Sequence, residues 1–162
     1  MKMEFEGIRL DSNLISEIKE IFENEIKKLE IEIFKVCGVE FNIASPKQLG
    51  EVLFEKLILE SNPKKTKTGQ YSTSEDTLSK LAKKHEVVKL ILEWRSLQKL
   101  LTTYVYNLPK QIDSNSNKIH TEFNQTLTTT GRLSSINPNL QNIPIRTETV
   151  SYTHLRAHET KR

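Results

Sequence analysis

Between Asp11 and Gly38 the apolar side chains Leu14, Ile15, Ile18, Ile21, Phe22, Ile26, Leu29, Ile33 and Val36 recur at steps of three and four. That spacing belongs to a long helix with one buried face, and it limits the fold more than any other feature of the chain. Asp11 or Ser12 is placed to cap the helix and Gly38 to end it. A stripe of this length needs an equally long apolar partner. The sequence offers one, from Glu86 to Tyr106, with Val87, Leu90, Ile91, Trp94, Leu97, Leu101 and Tyr104 on one side. The spacing suits a near-antiparallel pair with Trp94 in its core. Glu20, Glu23, Lys27 and Lys28 lie on the opposite face of the first helix and read as solvated surface with local ion pairs.

Shorter elements fill the space between. Ser45 as cap, Pro46 at the first helical position and Gln48 three residues beyond the cap predict a helix start closed by a capping box, with Leu49, Val52, Leu53 and Leu57 inward. Residues 60–74 lose the apolar period and carry Lys64, Lys65, Lys67, a glycine and a row of hydroxyls, which reads as a mobile basic loop. Ser72 and Glu75 form a second capping-box pattern, opening a helix with Leu78, Leu81 and Ala82 inward and His85 at its end. Leu108-Pro109 stops the second long helix. Residues 113–117 read as a turn, 118–123 as a strand and 124–128 as its partner. The fold class expected is mainly α with a small β portion (α+β): an antiparallel long-helix body followed by a first β-hairpin.

A formal net charge of +3 is too mild to announce a partner by itself. The single cysteine, Cys37, allows no intrachain disulfide, and no cluster has metal-ligand spacing. There is no apolar run long enough for a bilayer and no signal-peptide core, so a reduced cytoplasmic location without membrane is expected. His85, beside two lysines, reads as a helix end. His120, within a strand, reads at least as well as a structural hydrogen-bonding residue as one near a ligand.

The stretch Thr128–Arg146 is poor in bulky apolar residues and crowded with donors. It carries hydroxyls and carboxamides, the guanidinium forks of Arg132 and Arg146, and a backbone fixed by Gly131, Pro138 and Pro144. Such a ribbon suits nucleic acid, with amides and guanidinium groups at minor-groove acceptors and hydroxyls at phosphates. The same residue types also make ordinary turns. For the lysines of residues 60–74 the alternatives are likewise a solubilising surface loop or a salt-sensitive grip on phosphates.

Thr130-Gly-Arg-Leu-Ser-Ser135 followed by Asn137-Pro-Asn-Leu-Gln-Asn-Ile-Pro144 resembles the signature that opens the palm of family A DNA polymerases, the bacterial DNA polymerase I type. Gly7-Ile-Arg-Leu-Asp11 ahead of the first long helix, Phe41-Asn42 with Ser45-Pro-Lys-Gln-Leu49, and Trp94-Arg-Ser-Leu-Gln-Lys-Leu-Leu-Thr-Thr-Tyr104 resemble further family phrases, so that the resemblance covers residues 5–148. Leu101 stands where relatives commonly carry lysine. The resemblance implies a thumb over residues 1–108 with its basic tip loop at 60–74, and the start of a palm over 109–148. It implies duplex contacts from Arg132, Asn139, Gln141 and Asn142, from Lys99, Thr102 and Thr103 at the end of the second long helix, and from Lys64, Lys65, Lys67, Ser72 and Ser74 at the tip. Arg132 would read the minor groove near the primer end.

Residues 149–162 break the family pattern, and Val150-Ser-Tyr-Thr-His-Leu-Arg-Ala-His-Glu-Thr160 resembles a translated sequencing adapter, so this tail is expected to be non-native. The aspartates Asp11, Asp76 and Asp113 sit in cap or turn patterns, and none resembles the family's metal-binding carboxylates. Two-metal nucleotidyl transfer needs such carboxylates. The reading is therefore a piece of a DNA-directed DNA polymerase, a replication and repair enzyme. The piece is a monomer that binds primer-template, has no catalytic residue or cofactor of its own and is inactive alone. The full-length enzyme would use deoxynucleoside triphosphates and Mg2+. The alternatives are a non-catalytic helical nucleic-acid-binding module and a two-helix structural protein.

Overall fold

The structure is a computed structural model that describes residues 2–66, 68–124, 126–127 and 131–141. The chain divides into two compact units, Glu20–Leu101 and the pair of segments Met1–Lys19 and Thr102–Arg162. The expected class is found: helices dominate, with one two-stranded antiparallel sheet.

Helix α1 spans Lys2–Glu6 and α2 spans Ser12–Cys37. Asp11 caps α2, its Oδ1 accepting from the N–H groups of Asn13 at 3.0 Å and Leu14 at 3.2 Å. The buried seam of α2 is Ile15, Ile18, Phe22, Ile26, Leu29, Ile33 and Cys37. Two residues assigned inward by spacing face out instead, Ile21 at 53% exposed and Val36 at 55%. Each adjoins a buried neighbour, Phe22 or Cys37, that continues the alternation of three and four more closely.

In the unit Glu20–Leu101, α3 covers Pro46–Glu51 and runs into a π-helical turn, Val52–Lys56. Ser45 is the cap residue as expected, but its side chain makes no cap bond. Its N–H is already satisfied by the Asn42 carbonyl at 3.0 Å, so Gln48 reaches past it, Oε1 accepting the Asn42 N–H at 2.7 Å. Leu49, Leu53 and Phe54 are buried there, whereas Val52 and Leu57 are only partly covered. Helix α4 spans Glu75–Ala82, and its cap is Ser74 rather than Ser72. Helix α5 spans Glu86–Leu100, opening at His85, and a second π-helical turn, Leu101–Val105, follows it. Trp94 is buried and joins α5 to α2, its Nε1–H donating to Glu30 Oε1 at 3.1 Å.

In the other unit a 3-10 turn at Pro109–Gln111 follows the helix stop at Pro109. Strand β1, Glu122–Asn124, pairs with β2, Ser134–Ile136, in the register Glu122 to Ile136, Phe123 to Ser135 and Asn124 to Ser134. The return strand is thus 134–136 and not the expected 124–128. Ile119 meanwhile bridges to Ile8 and to Ile112.

Candidate nucleic-acid interface

The lysine-rich segment is more ordered than its composition suggests. Lys65 and Tyr71 form an antiparallel bridge, the Ser72 N–H donates to the Lys64 carbonyl at 2.8 Å, and the Thr66 N–H donates to the Gln70 carbonyl at 2.7 Å. Lys64 and Lys65 thus project from a small hairpin; both are exposed. The Lys65 ammonium sits 5.1 Å from the Tyr71 ring centroid, a cation–π position that holds the charge beside the hairpin without neutralising it. Lys67 lies outside the described residues.

Two helical elements fix this hairpin. The Tyr71 ring packs on Phe54 at 5.3 Å between centroids, and a Cβ built on Gly50 would stand 2.9 Å from Tyr71 Cβ, so that position tolerates no side chain without movement. Beyond the hairpin, Thr73 is 8% exposed, and the Arg95 guanidinium donates to its carbonyl at 2.7 Å and to its Oγ1 at 3.4 Å. Partial burial pushes the Arg95 pKa down, because desolvation disfavours the charged form. Ser72 and Ser74 meet Thr77 in a hydroxyl cluster at the start of α4, with Ser74 Oγ 3.0 Å from Thr77 Oγ1 and Ser72 Oγ 3.4 Å from it. The structure therefore brings Lys64, Lys65, Ser72 and Ser74 into one region. Lys99 is exposed in the last turn of α5.

In the second unit Thr102 and Thr103 are exposed on the π-helical turn, and the Thr102 carbonyl accepts from Asn107 Nδ2 at 2.8 Å. The signature segment is a braced ribbon. Gly131 has φ +71, a backbone position that suits glycine, and it precedes exposed Arg132. Ser135 is 0% exposed. Its Oγ lies 2.7 Å from Thr121 Oγ1, donates to the Pro138 carbonyl at 3.0 Å and accepts the Leu140 N–H at 3.2 Å. Thr121 also faces the carbonyls of Ile136 at 2.9 Å and Pro138 at 2.8 Å. Gln141 folds back on the same ribbon, Nε2 donating to the Leu133 carbonyl at 2.7 Å and Oε1 accepting the Ser135 N–H at 3.3 Å. Asn139 is exposed, and its Oδ1 accepts the Gln141 N–H at 3.1 Å. Asn142 and the tail 149–162 lie outside the described residues.

The lead-in before α2 clasps the sheet. Glu4 Oε1 accepts the Phe123 N–H at 2.9 Å, and Ile8 and Ile119 exchange two backbone bonds of 2.8 Å. His120 is structural here: Nδ1 lies 2.8 Å from the Glu4 carbonyl, which can only accept, so Nδ1 carries the proton, and Nε2 lies 2.7 Å from Ser116 Oγ.

Sequence reasoning missed Arg95 and the Thr121–Ser135 pair. Arg95 sat at the margin of a helical stripe, and nothing local ties it to a residue 22 positions earlier. Thr121 could have been found, because period-two alternation puts it on the same face as buried Ile119. Among the described residues no three His, Cys, Asp or Glu side chains gather as a metal site would require. Among the described residues, no helix is long and apolar enough to cross a membrane. What the arrangement offers is cations, hydroxyls and carboxamides on stiffened backbone, suited to holding a polyanion.

Comparison with known proteins agrees with that chemistry. The model of DNA polymerase family A matches residues 12–157. The chain is 52% identical over 146 residues to DNA polymerase I of Geobacillus stearothermophilus, covering 90% of this chain and 16% of that protein. Against DNA polymerase I of Bacillus subtilis (strain 168) the figures are 51% over 147 residues, 91% and 16%. The chain thus spans about a sixth of the length of these relatives. A solved complex, described as the POL domain of Pol1 from M. smegmatis with DNA primer-template and dNTP, superposes with a TM-score of 0.76 at 42% identity, over 91% of this chain and 26% of that one. A family match across most of the chain, joined to about half-identity with these polymerases, places it: the chain belongs to DNA polymerase family A.

Proposed function

We propose that this chain is the thumb and the opening of the palm of a bacterial-type DNA polymerase I, and that its task is to hold primer-template duplex while carboxylates elsewhere in the whole enzyme perform nucleotidyl transfer. The thumb would be residues 1–108 and the palm opening 109–148. The observation that carries this reading is the structural match to a polymerase domain described with primer-template and dNTP. The geometry supports it. Exposed Arg132 and Asn139 stand on a ribbon whose backbone is held from beneath by Ser135 and Thr121, so their donors are pre-positioned. Minor-groove acceptors occupy similar places in every correct base pair, so contacts of this kind test pairing geometry and leave sequence unread. Gln141 spends part of its hydrogen-bonding capacity on Leu133 and Ser135, and its share in the duplex contact is correspondingly a matter of shaping the ribbon. Lys64, Lys65, Ser72 and Ser74 would follow phosphates, and so would Lys99, Thr102 and Thr103. Deoxynucleoside triphosphates and magnesium ions belong to the full enzyme.

The test is fluorescence anisotropy of a labelled duplex with a recessed 3′ end, titrated with the 162-residue chain across a salt series. Binding should weaken linearly in log-log form with salt and be indifferent to duplex sequence, and Arg132→Ala should weaken it. The chain alone should incorporate no nucleotide. Duplex affinity that is absent, or that ignores both salt and Arg132→Ala, would remove the proposal.

A further inference from the structure

The geometry points to Arg95 as a positioning residue: its hold on Thr73 sets the pose of the Lys64–Ser72 hairpin, and through the hairpin it governs the grip on duplex phosphates. This rests on the function proposed above. Four observations carry it. The hairpin bears its exposed lysines on backbone closed by two short bonds, Ser72 N–H to Lys64 and Thr66 N–H to Gln70; so short a pair is marginal by itself, and both its order and its pose depend on its attachments. One attachment is Tyr71, whose ring stacks against Gly50 and Phe54 and whose hydroxyl hydrogen-bonds Glu55. The other attachment is directional: Arg95 meets both the carbonyl and the hydroxyl of Thr73, one residue past the hairpin, from the middle of the fifteen-residue helix α5. Finally, Thr73 is buried, while the residues on either side of it are more open and make hydroxyl contacts to Thr77, so Thr73 is the buried anchor between the hairpin and the cap of α4.

A guanidinium suits this role and an ammonium does not. Two donors fixed in one plane reach two acceptors on one residue with little further ordering, whereas a lysine offers a point charge on a flexible stem. Arg95→Lys therefore keeps the charge and loses the pose, which separates this role from a direct phosphate contact by Arg95 itself.

The experiment uses the full 162-residue chain with Arg95→Lys, Lys64→Ala/Lys65→Ala, and all three changes combined. Hydrogen exchange in the absence of DNA reads the tether. The amides of Thr66 and Ser72 should exchange at least five-fold faster in Arg95→Lys while those in the centre of α2 do not change. Anisotropy with a recessed duplex reads the consequence. Each phosphate contact adds about 0.9 to the salt slope, worth about eight-fold in affinity near 0.1 M salt. The paired lysine change should remove up to about 1.8 from the slope, and Arg95→Lys alone should remove a comparable share. In the lysine-free background Arg95→Lys should cost less than two-fold more, because the groups it positions are gone.

Unchanged exchange at Thr66 and Ser72 would overturn the tether. Faster exchange with a full additional affinity loss in the lysine-free background would overturn the positioning role, as would retention of wild-type slope in Arg95→Lys. A wild-type chain that binds no duplex would sink the proposed function and this inference with it, while the exchange result would still say whether Arg95 holds the hairpin.

Discussion

Replacing Ser135 by alanine removes a single oxygen from the centre of the signature ribbon, and the structure allows its effect to be worked out bond by bond. Ser135 is fully buried and faces Phe123 across the sheet. Its hydroxyl has one proton and two lone pairs. With the proton on the Pro138 carbonyl, one lone pair takes the Leu140 N–H and the other can take the Thr121 hydroxyl, so the group is saturated. In Ser135→Ala the Thr121 proton is released to one of the two carbonyls it faces, Pro138 at 2.8 Å or Ile136 at 2.9 Å. The Leu140 N–H loses its acceptor. A buried donor left unmade costs about 1–3 kcal/mol. Leu140 is partly open to solvent, which places the loss at about 1–2 kcal/mol. Local opening of the strand pair should then become roughly 5–30 times more frequent. The Leu140 amide is the reporter, because Ser135 Oγ is the acceptor it loses. Thr121→Val should also accelerate its exchange, and the double variant should cost less than the sum, since either change alone already breaks the hydroxyl pair. Leu140 exchange within two-fold of wild type in Ser135→Ala, or strict additivity in the double variant, would refute the bond accounting.

Gly50→Ala should destabilise the Glu20–Leu101 unit by about 1–3 kcal/mol in urea unfolding followed by Trp94 fluorescence, with a lower midpoint, because the new methyl stands 2.9 Å from Tyr71 Cβ on a hairpin already braced by Phe54. An unchanged midpoint would mean that the Tyr71 contact is slack. Trp94→Phe should cost that unit about 1–2 kcal/mol by circular dichroism, through the lost Nε1–H bond to Glu30, whereas Glu30→Gln retains an acceptor and should cost less. Equal losses in the two variants would count against the hydrogen bond. The backbone and then the side-chain bond from Ser116 hold the Asp113 carboxyl below the usual aspartate range. A folded pKa below the unfolded value, near about 3.9, stabilises the turn above that pH, and the contribution is lost as pH falls through the folded value. A carboxyl titration by NMR should show the depression, and Ser116→Ala should move the Asp113 midpoint upward but not remove the shift wholly if the Ser116 amide bond survives.

The helices were legible because their signal is local. Periodicity, an aspartate cap at Asp11 and a proline stop at Pro109 each act within one or two turns. What periodicity could not decide was the choice between adjacent apolar residues. Ile21 and Phe22 both fit a helical stripe, and so do Val36 and Cys37; the larger ring and the thiol are inside because they continue the narrower seam that the rest of the fold covers. The two π-helical turns each insert one residue per turn, at Val52–Lys56 and Leu101–Val105, and so shift the faces that a uniform period would assign. The strand partner was missed for a related reason. Proximity in sequence favours 124–128 after β1, but β2 lies further on, where Ser135 can reach Thr121 and Ile136 can offer its carbonyl to the same hydroxyl.

The candidate site separates along a line that residue type cannot draw. Ser134 and Ser135, or Asn139 and Gln141, are chemically near-equivalent neighbours, yet Ser135 is wholly buried where Ser134 is only partly so, and the Gln141 side chain donates to Leu133 where Asn139 accepts the Gln141 N–H. Composition therefore identifies a ribbon able to meet nucleic acid without saying which donors build the ribbon and which are presented by it. The division has a physical origin. Irregular backbone carries carbonyls and N–H groups that no ladder satisfies, and it must borrow side chains to satisfy them before any are left for a ligand. Here Ser135, Gln141 and Thr121 serve the carbonyls of Leu133, Ile136 and Pro138 and the amides of Ser135 and Leu140. The same trade operates at the basic hairpin, where Arg95, a cation on the face of it suited to DNA, is committed to the carbonyl of Thr73, and the exposed charge falls to Lys64 and Lys65.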